Sequence, residues 1–376
     1  MKKKIAFICA DNPNDKRAWS GTAHTIFTIL NHNYDTIWNG PIKINFKEKI
    51  KLFINKYSNK NFGGRLANER NILISKIYSS YVSQFINSHE FDYVFICAVP
   101  FMGAYINTKT PIIYLSDATF ENMIDFYSPF KRLNKKGIVE GHEIENLLLS
   151  KSKHVIFSSD WALKSAINYY NCNSNKVSLL DFGANIPLVE YKENIPSEYI
   201  NNTCRLLFSG VDWERKGGEL AYRVFLELLK RNINSELIII GCNPNIKNKK
   251  VTIIPFLNKN NKEDLSIFNS YFKESTFFIL PSIADCTPIV FSEAAANSLP
   301  VLSTKVGGIA SVIEEGINGF TFKLDASEKD YADKIEQLWN NKNQLIQLRK
   351  TSLQEYNRRL NWNTWSEKFD TIIENI

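Results

Sequence analysis

Two carboxylates with seven residues between them are the first feature of this chain that suggests chemistry. Asp285 and Glu293 bracket Cys286-Thr287-Pro288-Ile289-Val290-Phe291-Ser292. The stretch follows an apolar run, Phe277–Leu280, and Thr287-Pro288 reads as the N-cap and first residue of a helix. The first N–H groups of a helix lack intrahelical acceptors, so those of Ile289 and Val290 suit an anion. Carboxylates flanking such a start can bind opposite ends of a hydroxyl-rich, phosphate-bearing ligand. The alternative is plainer: Asp285 serves the cap and Glu293 makes a surface ion pair. The residues alone leave both open.

A second motif is Phe208-Ser209-Gly210-Val211-Asp212-Trp213-Glu214-Arg215-Lys216-Gly217-Gly218. A strand ends near Ser209, a loop carries Arg215 and Lys216, and glycines open a helix. Glycines admit a ligand close to the backbone, and cations beside helix N–H groups suit a phosphate. The spacing is not that of a P-loop, and a solvated glycine turn is the competing reading. Val306-Gly307-Gly308 and the turn Asn318-Gly319 form a weaker third motif. The first β-α turn, Ala10 to Gly21, lacks G-x-G-x-x-G, but Gly21 before a helix still lets a phosphate approach.

The elements that must position these residues alternate. Nearly continuous apolar runs at Lys4–Cys9, Asp35–Trp38, Tyr93–Ala98, Ile112–Leu115, His154–Ser158 and Val177–Leu180 read as strands buried on both faces. Helical patterns lie between them at Arg65–Asn87, Gly137–Ser150 and Asp160–Tyr170. After an irregular stretch, Ala184–Thr203, the pattern restarts. Its strands are Arg205–Phe208, Leu237–Ile240, Val251–Pro255, Phe277–Leu280 and Val301–Ser303. Its helices are Gly218–Arg231, Lys262–Glu274, Ile289–Asn297, Ile309–Glu314, Ala326–Tyr356 and a tail from Trp362 to Ile376. This β-α-β repetition requires parallel sheets with right-handed crossovers. The expected architecture is α/β, two doubly wound Rossmann-like domains facing a cleft, with ligands beyond the carboxyl ends of the strands.

Composition sets the outer limits. The chain has 376 residues, 44% apolar and 23% charged, which suits two globular domains and excludes a disordered chain. No apolar run reaches the ~18 residues of a membrane span. The start MKKKIAFICADNP imitates a secretion signal only briefly, so a cytoplasmic protein is expected. Six isolated cysteines without C-x-x-C or zinc-finger spacing read as small buried hydrophobes in a reducing compartment. The net charge of +7 is uneven: residues 1–182 carry +8 and the remainder −1.

The second half resembles the family 4 retaining glycosyltransferases, which have the GT-B fold. The resemblance rests on Asp285-x7-Glu293, the following Ala294-Ala295-Ala296-Asn297-Ser298-Leu299-Pro300-Val301, Val306-Gly307-Gly308, Gly316-Ile317-Asn318-Gly319-Phe320 and Lys216-Gly217. Asp181-Phe182-Gly183-Ala184-Asn185 and a final helix with Trp362 and Trp365 are also similar to family segments. Four features depart from the pattern: Asp285 stands where Glu is commoner, Val211 for an arginine, Cys286-Thr287-Pro288 for Gly-Phe-Gly, and Ser116-Asp117 for a His-Asp pair.

The resemblance implies an acceptor domain over 1–185, a donor domain over 200–357, and a terminal helix, 358–376, crossing back to the first. It implies a sugar moved from a nucleotide-sugar donor, UDP-linked by preference and GDP-linked as the alternative, to a glycan or lipid-linked hydroxyl with retention. Lys216, with Arg215, would hold the diphosphate, and Gly210 and Gly21 would admit it. Asp285 would bind sugar hydroxyls, and Thr287, Ile289 and Val290 would meet diphosphate or sugar. Glu293 would bind the ribose, and Phe256 and Leu257 the base. Asp117 is the candidate for a carboxylate near the reacting centre, with capping of the next helix as its alternative. No D-x-D pair points to a metal, and neither a metal nor a cofactor is expected.

The basic excess then falls in the acceptor half. Lys43–Lys60 mixes six lysines with Ile44, Phe46, Ile50, Leu52, Phe53 and Ile54, as a segment lying on an anionic membrane would. Lys131-Arg132 and Lys135-Lys136 form a second basic cluster. An ordinary lysine-rich surface helix is the alternative, and nothing accompanies the charge that would point to nucleic acid. A non-catalytic GT-B-like binding or scaffolding subunit and a sugar-nucleotide epimerase stand as competing functions.

Overall fold

The computed structural model describes residues 2–16, 18–58, 68–186 and 202–376. The chain forms two compact units, Met1–Leu180 with Lys368–Ile376, and Asp181–Glu367. Each contains one six-stranded parallel sheet.

In the first unit the strands are β1 (Lys4–Ile8), β2 (Asp35–Trp38), β3 (Tyr93–Cys97), β4 (Ile112–Ser116), β5 (His154–Phe157) and β6 (Val177–Leu179), in spatial order β2-β1-β3-β4-β5-β6. In the second they are β7 (Cys204–Ser209), β8 (Ser235–Ile240), β9 (Val251–Ile254), β10 (Phe277–Leu280), β11 (Val301–Thr304) and β12 (Gly319–Phe322), in order β12-β11-β10-β7-β8-β9. The central strands β3, β4, β5 and β10 are buried along their whole length. Helices on both faces produce this, and it is why these strands read as unbroken apolar runs. The architecture is the pair of Rossmann-like domains expected of GT-B, and the last helix, Trp362–Asn375, begins in the second unit and ends in the first.

Several boundaries differ from the sequence reading. The helical pattern over Ala326–Tyr356 is two helices, Glu328–Asn340 and Lys342–Arg358. They separate at Asn341, whose side chain accepts from the Gln344 N–H and restarts the chain. Apolar periodicity alone does not register such an internal cap. Asn318-Gly319 is more than a turn, because β12 starts at Gly319 and pairs with Val301 of β11. The helix predicted from Arg65 starts at Ile72, capped by Asn71, and Arg65 itself lies outside the described residues. Most of the linker, 187–201, lies outside them as well.

The division between units falls at Leu180 rather than at 185. Asp181 pairs with the Arg359 guanidinium at 2.5 Å, the Phe182 ring stacks on Trp362, and the Trp362 indole donates to Asn185. These contacts hold 181–185 to the second unit. The return to the first unit correspondingly starts at Lys368 rather than at 358. There Phe369 packs edge-on against Tyr34 and Phe95, and the Tyr34 hydroxyl donates to Asp370.

No disulfide joins any of the six cysteines, and all but Cys242 are buried. Burial pushes Cys9 and Cys204 up to about 12, which leaves them protonated and inert at neutral pH. No helix among the described residues is long and apolar enough to cross a membrane.

Candidate active site

In the second unit the three motifs emerge from the carboxyl ends of three adjacent strands. The Gly210–Gly217 loop follows β7, the Ser282–Pro288 loop follows β10, and Val306-Gly307-Gly308 follows β11. The sheet order reverses between β7 and β10, the place where an open parallel sheet leaves a crevice for a ligand.

Hydrogen bonds tie the loops together. The Lys216 ammonium donates to Asp285 Oδ2 at 2.5 Å, and both side chains are largely buried. The Ser282 hydroxyl donates to the same oxygen at 3.3 Å. The Asp285 carbonyl accepts from the Gly308 N–H at 3.2 Å, which joins the third loop to the second. The Arg215 guanidinium donates to the Ala284 carbonyl at 2.9 Å and to Asp212 at 3.2 Å. The Arg215 carbonyl in turn accepts from the Ile283 N–H at 2.8 Å. Two cations, each paired with a carboxylate, are thus fixed where the three loops meet.

Gly217 is required by this crossing. Its φ is +73°, and an added Cβ would lie 1.9 Å from the Pro281 carbonyl oxygen. Backbone freedom alone does not explain it, because Gly316 has a similar φ of +74° with open space around it. Gly217→Ala is expected to cost on the order of 3 kcal/mol of stability and Gly316→Ala about 1 kcal/mol. Denaturant titration of both variants measures the difference, and equal losses would contradict the close crossing. Gly210 lies at the start of the same loop, its N–H donating to the Ile240 carbonyl at 2.9 Å.

The helix after β10 runs over Ile289–Ala296, and its N-cap is Pro288, not Thr287. Pro288 has ψ 103°, an extended value, so the first helical residue is Ile289. Thr287 therefore stands one residue before the cap, half-buried, and Pro288 makes no side-chain cap bond. The N–H groups of Ile289 and Val290 belong to the first helical turn. The surface-pair reading of Glu293 fails, because its residue is only 1% exposed.

Its partner is Lys259. The Lys259 ammonium lies 2.6 Å from Glu293 Oε1 and 4.3 Å from the centre of the Phe268 ring. Lys259 sits in the loop after β9 that also carries Phe256, which is 66% exposed, and the half-buried Leu257. The pair thus fastens the loop expected to bind the base to the carboxylate expected to bind the ribose. The lone lysine in Asn258-Lys259-Asn260 carries no motif, so only the fold reveals it.

The first unit has a smaller cluster of its own. Trp19, Ser20 and Gly21 take φ values of 47°, 57° and 85° in succession, and Gly21 caps the helix Thr22–Asn33. Left-handed backbone is costly for Trp and Ser, roughly 1 kcal/mol or more each. The turn is held by the Trp19 indole, which donates to Asp117 Oδ2 at 3.3 Å. Asp117 does not cap the helix that follows it. Thr119 does, in a capping box with Asn122. This leaves the half-buried Asp117 carboxylate at the carboxyl end of β4, oriented by a residue from the turn after β1. Ser116, at the position of the family histidine, is buried with its hydroxyl bonded to the Ala118 carbonyl.

Residues 192–356, within the second unit, match the family model described as Glycosyl transferases group 1. An uncharacterized glycosyltransferase of Methanocaldococcus jannaschii is 23% identical over 237 residues, 57% of this chain and 64% of that protein. The chain therefore matches less than two thirds of that relative's length. Among solved structures, sucrose-phosphate synthase from Thermosynechococcus elongatus superposes with a TM-score of 0.68 at 12% identity, covering 100% of this chain and 99% of the other. Anabaena HepE in complex with UDP and glucose superposes with a TM-score of 0.64 at 14% identity, covering 100% of both. At these identities the likeness establishes the fold.

Proposed function

We propose that the protein is a retaining glycosyltransferase that moves a sugar from a nucleotide-sugar donor to a hydroxyl of a glycan or lipid-linked acceptor in surface polysaccharide or glycoconjugate synthesis. The observation that carries this reading is the junction of Lys216, Asp285 and Gly308 at the reversal point of the second sheet. Lys216 and Arg215 face the diphosphate, with Gly210 and the N–H groups of Ile289 and Val290 beside it. Asp285 and Thr287 address the sugar, Glu293 the ribose, and Phe256 with Leu257 the base. From the first unit, Gly21 is assigned to the diphosphate and Asp117 to the acceptor side, as base or orienter. The UDP and glucose held by Anabaena HepE favour a UDP-sugar, with a GDP-sugar as the alternative.

In this reaction the bond from the anomeric carbon to the diphosphate oxygen breaks, and its electron pair leaves with the phosphate. The acceptor oxygen bonds to the same face of that carbon, and its proton passes to the departing phosphate oxygen. Negative charge grows on the leaving group, so fixed cations and N–H dipoles lower the barrier most. Lys216 and Arg215 supply that charge, and the reading takes no metal and no cofactor.

Thermal-shift and nucleoside-diphosphate-release assays with UDP-, GDP- and ADP-sugars test the proposal. At least one donor is expected to raise the melting temperature and to release its diphosphate when an acceptor is present. Donor binding with no turnover under any condition would instead identify a binding subunit, the role suggested by Val211, Ser116 and Cys286-Thr287-Pro288. Conversion of a donor without acceptor would identify an epimerase.

A further inference from the structure

The helix Phe46–Ser58 is mounted the wrong way round for a water-soluble domain. Its side chains of Glu48 and Leu52 face the body: the Tyr81 hydroxyl donates to Glu48 Oε2 at 2.6 Å, and Leu52 is half-buried. The start of the helix is fixed by Asn45, whose N–H donates to Tyr81 Oη at 3.1 Å and whose side chain accepts from the Glu48 N–H at 2.9 Å. Residues of an α-helix advance by about 100°, which puts Ile50 roughly opposite this attachment. Phe46, Ile50 and Ile54 share that outer face, and Phe46 is 76% and Ile54 60% exposed. A surface helix normally turns its apolar stripe inward.

The flanks are basic. Lys47 and Lys51 lie on one side of the apolar stripe and Lys49 on the other, with Lys43 just before the helix, all exposed. The only carboxylate in this described stretch, Glu48, is on the inner side and already bonded to Tyr81. An outward apolar stripe between rows of lysine is the geometry of a helix lying in a membrane interface, with apolar side chains among acyl chains and ammonium groups at the headgroups.

We propose that this helix docks the first unit onto an anionic lipid bilayer. Charge complementarity selects that occupant. A second copy of the chain packed face to face would set lysines against lysines. A nucleic acid would take the charge and leave Phe46, Ile50 and Ile54 in water. The proposal stands apart from the donor site, because docking is read with no nucleotide present. Residues 59–60, the end of the basic segment in the sequence, lie outside the described residues and play no part.

Flotation of the full chain with vesicles of phosphatidylcholine, alone or mixed with phosphatidylglycerol, tests it. The protein is expected to float only with phosphatidylglycerol and to be released by salt. Each lysine near the surface contributes about five-fold in affinity, so Lys47→Gln/Lys49→Gln/Lys51→Gln should weaken binding on the order of a hundred-fold. Phe46→Ser/Ile50→Ser/Ile54→Ser should abolish it. Both triple variants alter exposed positions, and unchanged circular dichroism and melting temperature verify their fold. If one misfolds, the other decides. No flotation of the wild type, equal flotation with neutral vesicles, or wild-type flotation by a folded variant would overturn the proposal. So would self-association lost in the apolar variant without vesicle binding, which would make a second copy the occupant.

Discussion

Lys216→Met is expected to lower kcat by on the order of a hundred- to a thousand-fold, the usual consequence of removing one fixed charge from a developing oxyanion. The variant is also expected to be less stable. Asp285 is buried, and its carboxylate would keep only the Ser282 hydroxyl, at 3.3 Å, in place of an ammonium at 2.5 Å. Stranding one member of a buried ion pair costs about 3 kcal/mol or more. The two effects separate in the double variant Lys216→Met/Asp285→Asn. It no longer holds an unpaired charge, so its unfolding free energy should recover most of that loss, while its turnover stays at or below that of Lys216→Met. Steady-state kinetics and denaturant titration of the two variants give both numbers. Turnover near wild type in either would remove Lys216 from the leaving-group site.

Glu293→Gln should act on binding instead. The carboxylate is 1% exposed and is assigned to the ribose, which the leaving nucleotide shares with the donor. Hydrogen bonds to a buried charge are worth about 1.5–3 kcal/mol, so donor KM and the UDP dissociation constant should both rise roughly ten- to a hundred-fold. The kcat at saturating donor should change little. Inorganic pyrophosphate provides the internal control. Its affinity should be unchanged by Glu293→Gln and reduced by Lys216→Met, because it has phosphates and no ribose. Calorimetry with UDP and pyrophosphate measures all four affinities. A Glu293 variant that weakens both ligands equally would place the carboxylate at the phosphates and contradict the assignment.

These two residues were legible in the sequence because their spacing and their place after apolar runs are local facts. The strands were legible for the same reason: Phe277–Leu280 is apolar because helices cover it on both sides. What the sequence did not show is mostly long-range. Lys259 and Glu293 meet only because β9 and β10 belong to one sheet, and no spacing rule links 259 to 293. Trp19 and Asp117 meet across the turns after β1 and β4. The sequence suits Asp117 to catalysis or to capping, and in the structure Thr119 caps the helix. The shift of the cap from Thr287 to Pro288 turns on one ψ angle, which composition does not fix. The outward face of the Phe46–Ser58 helix was equally hidden. Its periodicity shows an apolar stripe, but only the bond from Tyr81 to Glu48 shows which side is attached.

The last nine residues carry an implication for how such chains recombine. Lys368–Ile376 belong to the first unit, where Phe369 fills space between Tyr34 and Phe95 and Asp370 accepts from the Tyr34 hydroxyl. The first unit is therefore not encoded by a continuous stretch. A gene fusion that exchanged only the amino-terminal half would pair a new sheet with a tail shaped for the old one, leaving Phe369 without its socket. Exchanging the interior segment, 181–367, keeps tail and socket together. The second unit can thus be transplanted as a single internal cassette, whereas a new first unit must arrive in two pieces that fit each other.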